Sequence, residues 1–105
     1  MAGSRLEALQ ELLKNEPNDA FVRYGLANEY YKAGQLEECV NMIVSYLKLA
    51  NDEGAVYRML GHALLRLGRR NEARQAFEQG IVAAEHHNHP SMAEEFRETI
   101  TEEFE

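Results

Sequence analysis

The sequence predicts an all-α chain of six amphipathic helices arranged as antiparallel pairs. Three observations carry that expectation. Apolar residues recur at intervals of three and four, strict alternation is almost absent, and two stretches repeat each other at a spacing of 34 residues. Spacing of three and four places each apolar set on one face of a helix and leaves no strand pattern to pair into a sheet.

The elements follow in order. Leu6, Leu9, Leu12 and Leu13 mark a leading helix over 5–15, with Met1 to Ser4 outside the periodic pattern. Pro17-Asn18-Asp19 stops it and offers Asn18 or Asp19 as the N-cap of the next helix. Val22, Leu26 and Tyr30 form the second stripe, and Gly34 follows it where a helix ends in the left-handed conformation. Val40, Ile43 and Leu47 form the third, closed by the polar break Asn51-Asp52-Glu53-Gly54. Val56, Leu60, Leu64 and Leu67 form the fourth, followed by Gly68. Ala73, Phe77 and Ile81 form the fifth, which runs into His86-His87-Asn88-His89-Pro90. Pro90 suits the first turn of a final helix carrying Met92, Phe96, Ile100 and Phe104 at intervals of four. Short connections make sequence neighbours pack antiparallel.

Composition narrows the function. A chain of 105 residues has room for one domain and none for separate cofactor and substrate domains. With 11 basic against 18 acidic residues and a net charge of −7, it lacks the clustered cations that grip a nucleic-acid backbone or an anionic membrane. No apolar run approaches the ~20 residues that span a bilayer, and no charged-then-apolar leader precedes the first helix. The single Cys39 forms no internal disulfide. These absences point to a cytoplasmic protein with no nucleic-acid or membrane partner.

The internal repeat is gapless. Leu26-Ala27-Asn28-Glu29-Tyr30-Tyr31-Lys32-Ala33-Gly34 aligns with Leu60-Gly61-His62-Ala63-Leu64-Leu65-Arg66-Leu67-Gly68, and Cys39, Ile43 and Leu47 align with Ala73, Phe77 and Ile81. This pattern resembles the tetratricopeptide repeat, a 34-residue helix–turn–helix unit. Small residues at Ala27, Gly61, Cys39 and Ala73 stand where that repeat brings helices close, with Tyr30, Leu64, Ile43 and Phe77 filling the space between. The resemblance implies an α-solenoid of two repeats, 20–53 and 54–87. The leading helix 5–15 would be the second helix of a preceding unit and 90–105 a capping helix. Asn51 and Glu85 replace the repeat's usual Pro, and Tyr46 and Gly80 its usual Ala. Less sharp helix junctions and altered stacking distances are expected there.

The resemblance also implies a protein-interaction module whose first helices line a concave groove for a partner's extended peptide or helix. Carried over residue by residue, the groove is lined by Phe21, Tyr24, Asn28, Tyr31 and Lys32 from the first repeat, and by Ala55, Arg58, Met59, His62, Leu65 and Arg66 from the second. The spacing agrees, since Tyr24, Asn28 and Tyr31 fall at i, i+4 and i+7 beside the core stripe. Aromatics, an amide for a peptide backbone and the planar forks of Arg58 and Arg66 suit an acidic or C-terminal segment. One branch of the family clamps chaperone carboxylates with Lys and Asn. Here Asn28 matches, but Tyr24 and Met59 stand at other clamp positions and the third repeat is missing, which disfavours that role.

Chemistry finds little support elsewhere. His86, His87 and His89 crowd one connection, but adjacent loop residues point apart, so no metal site is expected. Cys39 sits where the repeat wants a small apolar residue. The pairs Glu37-Glu38, Asp52-Glu53 and Glu94-Glu95 suit helix starts or outer faces. No phosphate loop, nucleophile elbow, Cys-x-x-Cys or His-Glu-x-x-His occurs, so neither an enzyme nor a cofactor is expected. Arg58, Arg66, Arg69, Arg70 and Arg74 place 5 of the 11 basic residues within 17 positions. The last three are expected to exchange charge with Glu72 and Glu78 on the surface. Two repeats bury little core, so end-to-end homo-oligomers stacked through Phe96, Ile100 and Phe104 are the rival expectation.

Overall fold

The computed structural model describes residues 2–105, which form six α-helices and no strand. They are α1 (Ala2–Asn15), α2 (Ala20–Lys32), α3 (Leu36–Leu47), α4 (Ala55–Arg66), α5 (Arg70–His86) and α6 (Pro90–Phe104). The chain divides into two compact units, Met1–Asn51 with α1 to α3 and Asp52–Glu105 with α4 to α6. Met1 lies outside the described residues. The backbone of α1 begins at Ala2, three residues before the expected start, because no breaker precedes the apolar stripe.

In the first unit α2 packs against both α1 and α3. Asp19 is the N-cap of α2, its carboxylate accepting the N–H groups of Phe21 at 2.9 Å and Val22 at 3.3 Å. Val22, Leu26, Ala27, Cys39, Val40 and Ile43 form the buried core. Leu6, Leu9 and Leu13 of α1 are half-buried, whereas Leu12 is 47% exposed and belongs to the outer face. A buried carboxylate, Glu29, accepts from Arg5 of α1 at 3.3 Å and sits 3.5 Å from Lys32. Gln10 also reaches the Tyr30 hydroxyl at 3.1 Å.

In the second unit α5 packs against both α4 and α6. Phe77, Phe96 and Ile100 are buried together, with Tyr57, Leu65, Ile81, Met92 and Phe104 around them. Close approach at Gly61 makes this possible, since a Cβ there would meet the Phe77 ring at 2.5 Å. The aligned positions of the two repeats are buried in both units: Leu26 and Leu60, Ala27 and Gly61, Cys39 and Ala73, Ile43 and Phe77.

Helix ends follow one rule three times. Gly34 and Gly68 take φ +76 and +78, and the next residue's N–H returns to the helix, Gln35 to Tyr30 and Arg69 to Leu64, each at 2.9 Å. Asn88, at φ +60, does the same for α5, with the His89 N–H bonding Ala84 at 2.7 Å. Glu85 stands where a Pro would stop the helix, and α5 accordingly runs on to His86. Before α4, Asp52 accepts the N–H groups of Gly54 at 2.8 Å and Val56 at 3.0 Å.

Candidate functional site

Phe21, Tyr24, Asn28, Tyr31 and Lys32 lie on one face of α2, as their spacing requires. Phe21 is 91% exposed, the largest exposure of any big apolar side chain among the described residues. Beside it a hollow of about 300 Å³ is walled by Ala20, Phe21, Tyr24, Tyr46 and Ala50. Tyr46 packs edge-on against Tyr24 with ring centroids 5.2 Å apart and forms the far wall. Sequence reasoning missed Tyr46 as a site residue, although its departure from the repeat's small residue was the signal. Asn28 and Tyr31 are half-buried further along, and Lys32 is exposed beside Glu29.

The corresponding face of α4 is used differently. Arg58 places both arms of its guanidinium on Glu95 of α6, Nε to Oε2 at 2.5 Å and Nη2 to Oε1 at 2.8 Å, and lies 5.7 Å from the Phe96 ring centroid. Those bonds hold the Glu95 carboxyl below the usual carboxylate range. The fork expected to wait for a partner's carboxylate is therefore bonded within its own unit. His62 packs edge-on against Phe77 at 5.2 Å, and Leu65 joins the aromatic core. Met59 is half-buried and Arg66 exposed.

Over 82 residues the chain is 30% identical to the TPR repeat-containing protein PA0015 of Pseudomonas aeruginosa, covering 78% of each chain. It belongs to the tetratricopeptide-repeat family. No family profile matches it, and no solved structure does. The 34-residue pairing of buried positions in the two tetratricopeptide repeats is the structural counterpart of that kinship.

Outside the first helices of the repeats, the other candidates resolve individually. Cys39 is fully buried, and burial pushes its thiol up to about 11, far from nucleophilic at neutral pH. In the histidine connection, His86 and His87 stack edge-on at 5.1 Å, while His89 turns away to Glu53 with Nε2 and Oε1 2.7 Å apart. No cluster of three metal-ligating side chains occurs among the described residues. Arg69 bonds Glu72 at 2.5 and 2.9 Å, and Arg74 lies 3.8 Å from Glu78, the surface exchange expected. Arg70 and Arg74 also reach the end of α6, which the sequence did not disclose. The stripe Phe96, Ile100 and Phe104 packs inward, with Phe96 fully buried and Ile100 8% exposed. No helix of the described residues is long and apolar enough to cross a membrane.

Proposed function

We propose that the chain is a non-catalytic protein-interaction module that seats an apolar side chain of a partner's extended peptide or helix in the hollow beside Phe21. The exposure of Phe21 carries this reading. An aromatic ring held almost wholly in water in the first turn of a capped helix adds little to its own fold. Burying such a ring against a partner yields about 1.5–3 kcal/mol, and aromatic anchors in small hollows dominate binding energies at protein interfaces. Asn28, about two turns beyond Phe21, is suited to a peptide amide, and Lys32 to an acidic flank.

With Arg58 bonded to Glu95, affinity rests on apolar anchoring more than on carboxylate capture. On α4, Met59, His62, Leu65 and Arg66 are a secondary contact face in this reading. The rival reading, end-to-end stacking through Phe96, Ile100 and Phe104, is not preferred, since Phe96 and Ile100 are buried with Phe77 of α5 in the chain's own core.

The test begins with a benzoylphenylalanine at position 21, irradiated in lysate of the native host, and adducts identified by mass spectrometry. The purified partner is then titrated against the unmodified chain and Phe21→Ser. The expected result is affinity at least about tenfold weaker for Phe21→Ser with an unchanged melting curve. Equal affinity, or no adduct at position 21, overturns the reading.

A further inference from the structure

The last turn of α6 lies under two arginines of α5. The Arg70 guanidinium is 4.9 Å from the Phe104 ring centroid and that of Arg74 is 6.0 Å away. The ring also meets the core, tilted against buried Phe77 with the two centroids 6.5 Å apart. The same arginines take the polar groups that flank the ring along the chain. Arg70 donates to the Glu103 carbonyl, and Arg74 sits 3.8 Å from the Glu105 carboxylate. Two arginines thus share an aromatic side chain, and between them meet its preceding carbonyl and its following carboxylate.

We propose that Arg70, Arg74 and the edge of Phe77 form a cradle for a partner segment carrying an aromatic residue beside a carboxylate, and that residues 103–105 are its built-in competitor. The chain's own occupant states the chemistry of the foreign one. The cations stack on the ring and bind the flanking oxygens, a combination that arginine supports through its planar face and its five donors. The occupant is also placed to leave. The Arg74–Glu105 contact that holds it is long, at 3.8 Å, and exposed at 44% and 55%. Ile100 and Phe96 are anchored one and two turns earlier, so the rest of α6 stays packed when the last turn opens. A tethered competitor at high effective concentration sets a threshold that only a better-matched or abundant partner exceeds. The inference concerns the second unit and does not depend on the reading of Phe21.

The test uses the full chain and a synthetic acetylated peptide, Ile-Thr-Glu-Glu-Phe-Glu, copied from residues 100–105. Phe104→Ala empties the cradle and is expected to bind the peptide about tenfold more tightly than the unaltered chain, following the released competitor. Adding Arg70→Glu and Arg74→Glu to Phe104→Ala is expected to abolish that binding. Should Phe104→Ala fail to fold by circular dichroism, Glu105→Lys keeps the ring and only repels Arg74, and a gain of about threefold is expected. Equal binding by the unaltered chain and the opened variant, no binding by either, or binding that survives reversal of both arginines overturns the proposal.

Discussion

Arg58 and Glu95 join α4 to α6 through a two-armed ion pair, with Nε 2.5 Å from one carboxylate oxygen and Nη2 2.8 Å from the other. The guanidinium also sits 5.7 Å from the centroid of the fully buried Phe96 ring. One residue of the second repeat's first helix therefore fixes the final helix by charge and by ring contact together. A residue that the family resemblance suggested as a partner contact is, in the folded chain, bonded within the second unit.

Both side chains of the pair stay about two-fifths exposed, 40% and 44%, so solvent screens the attraction. A double-mutant cycle with Arg58→Ala and Glu95→Ala is expected to return a coupling of about 0.2–1 kcal/mol, toward the upper end because the geometry is bidentate. Arg58→Glu adds repulsion of Glu95 and is expected to lower Tm by about 4–8 °C, the shift that ~1 kcal/mol causes in a domain of this size. An unchanged Tm for Arg58→Glu would show that the pair does not persist in solution.

The close approach at Gly61 predicts a larger effect from a smaller change. A Cβ on Gly61 would stand 2.5 Å from two atoms of the Phe77 ring, which is itself fully buried and has no room to retreat. Gly61→Ala is expected to cost about 1–3 kcal/mol by overpacking. Gly34→Ala meets nothing within 4 Å and carries only the strain of φ +76, about 1–2 kcal/mol. The two are separated by repair: shrinking the ring with Phe77→Leu should lessen the loss in Gly61→Ala and leave that of Gly34→Ala alone. Chemical denaturation of the two glycine variants, Phe77→Leu and the two doubles measures this, and equal responses to Phe77→Leu would refute the ring as the cause.

Much of the fold was legible because its determinants are local. The 34-residue repeat located Gly34 and Gly68 at left-handed helix ends, and Pro90 and Asp19 marked helix starts. Asn88 escaped notice because an asparagine marks a left-handed end far less plainly than a glycine does. Leu12 was assigned inward from spacing alone, yet a four-leucine cluster is wider than the stripe α2 can cover. The site was less legible, because it depends on which side chains meet across helices. Nothing in the spacing pairs Arg58 with Glu95 at a separation of 37 residues, or sets Tyr46 against Tyr24.

Acid stability follows from three carboxylates held below their ordinary value of 4.5. Glu53 is lowered first by its hydrogen bond to His89, Glu72 by that to Arg69, and Glu95 by that to Arg58. Each binds protons less readily folded than unfolded, so each contributes stability above its unfolded pKa and loses it as pH falls through the folded one. Stability to urea is expected to hold from pH 7 to about 5 and to decline below about 4.5. Glu95→Gln should flatten that decline. A decline of undiminished steepness in Glu95→Gln would assign the acid sensitivity to other groups.

Cys39 offers a probe of the first unit's opening. Its sulfur has no exposed surface and its thiol is pushed up to about 11, so both access and ionisation oppose labelling of the folded chain. Reaction with a disulfide reagent at pH 8 is expected only when the α2–α3 pair opens, and the rate should rise with urea in step with unfolding. Its place in the core also ranks two substitutions. Cys39→Ala mirrors Ala73 of the second repeat and is expected to cost about 1 kcal/mol, a small residue lost from a close contact. Cys39→Ser buries a hydroxyl that must find a partner and is expected to cost about 1–3 kcal/mol. Fast labelling of the native chain, or a serine variant as stable as the alanine one, would place Cys39 at a surface rather than between two helices.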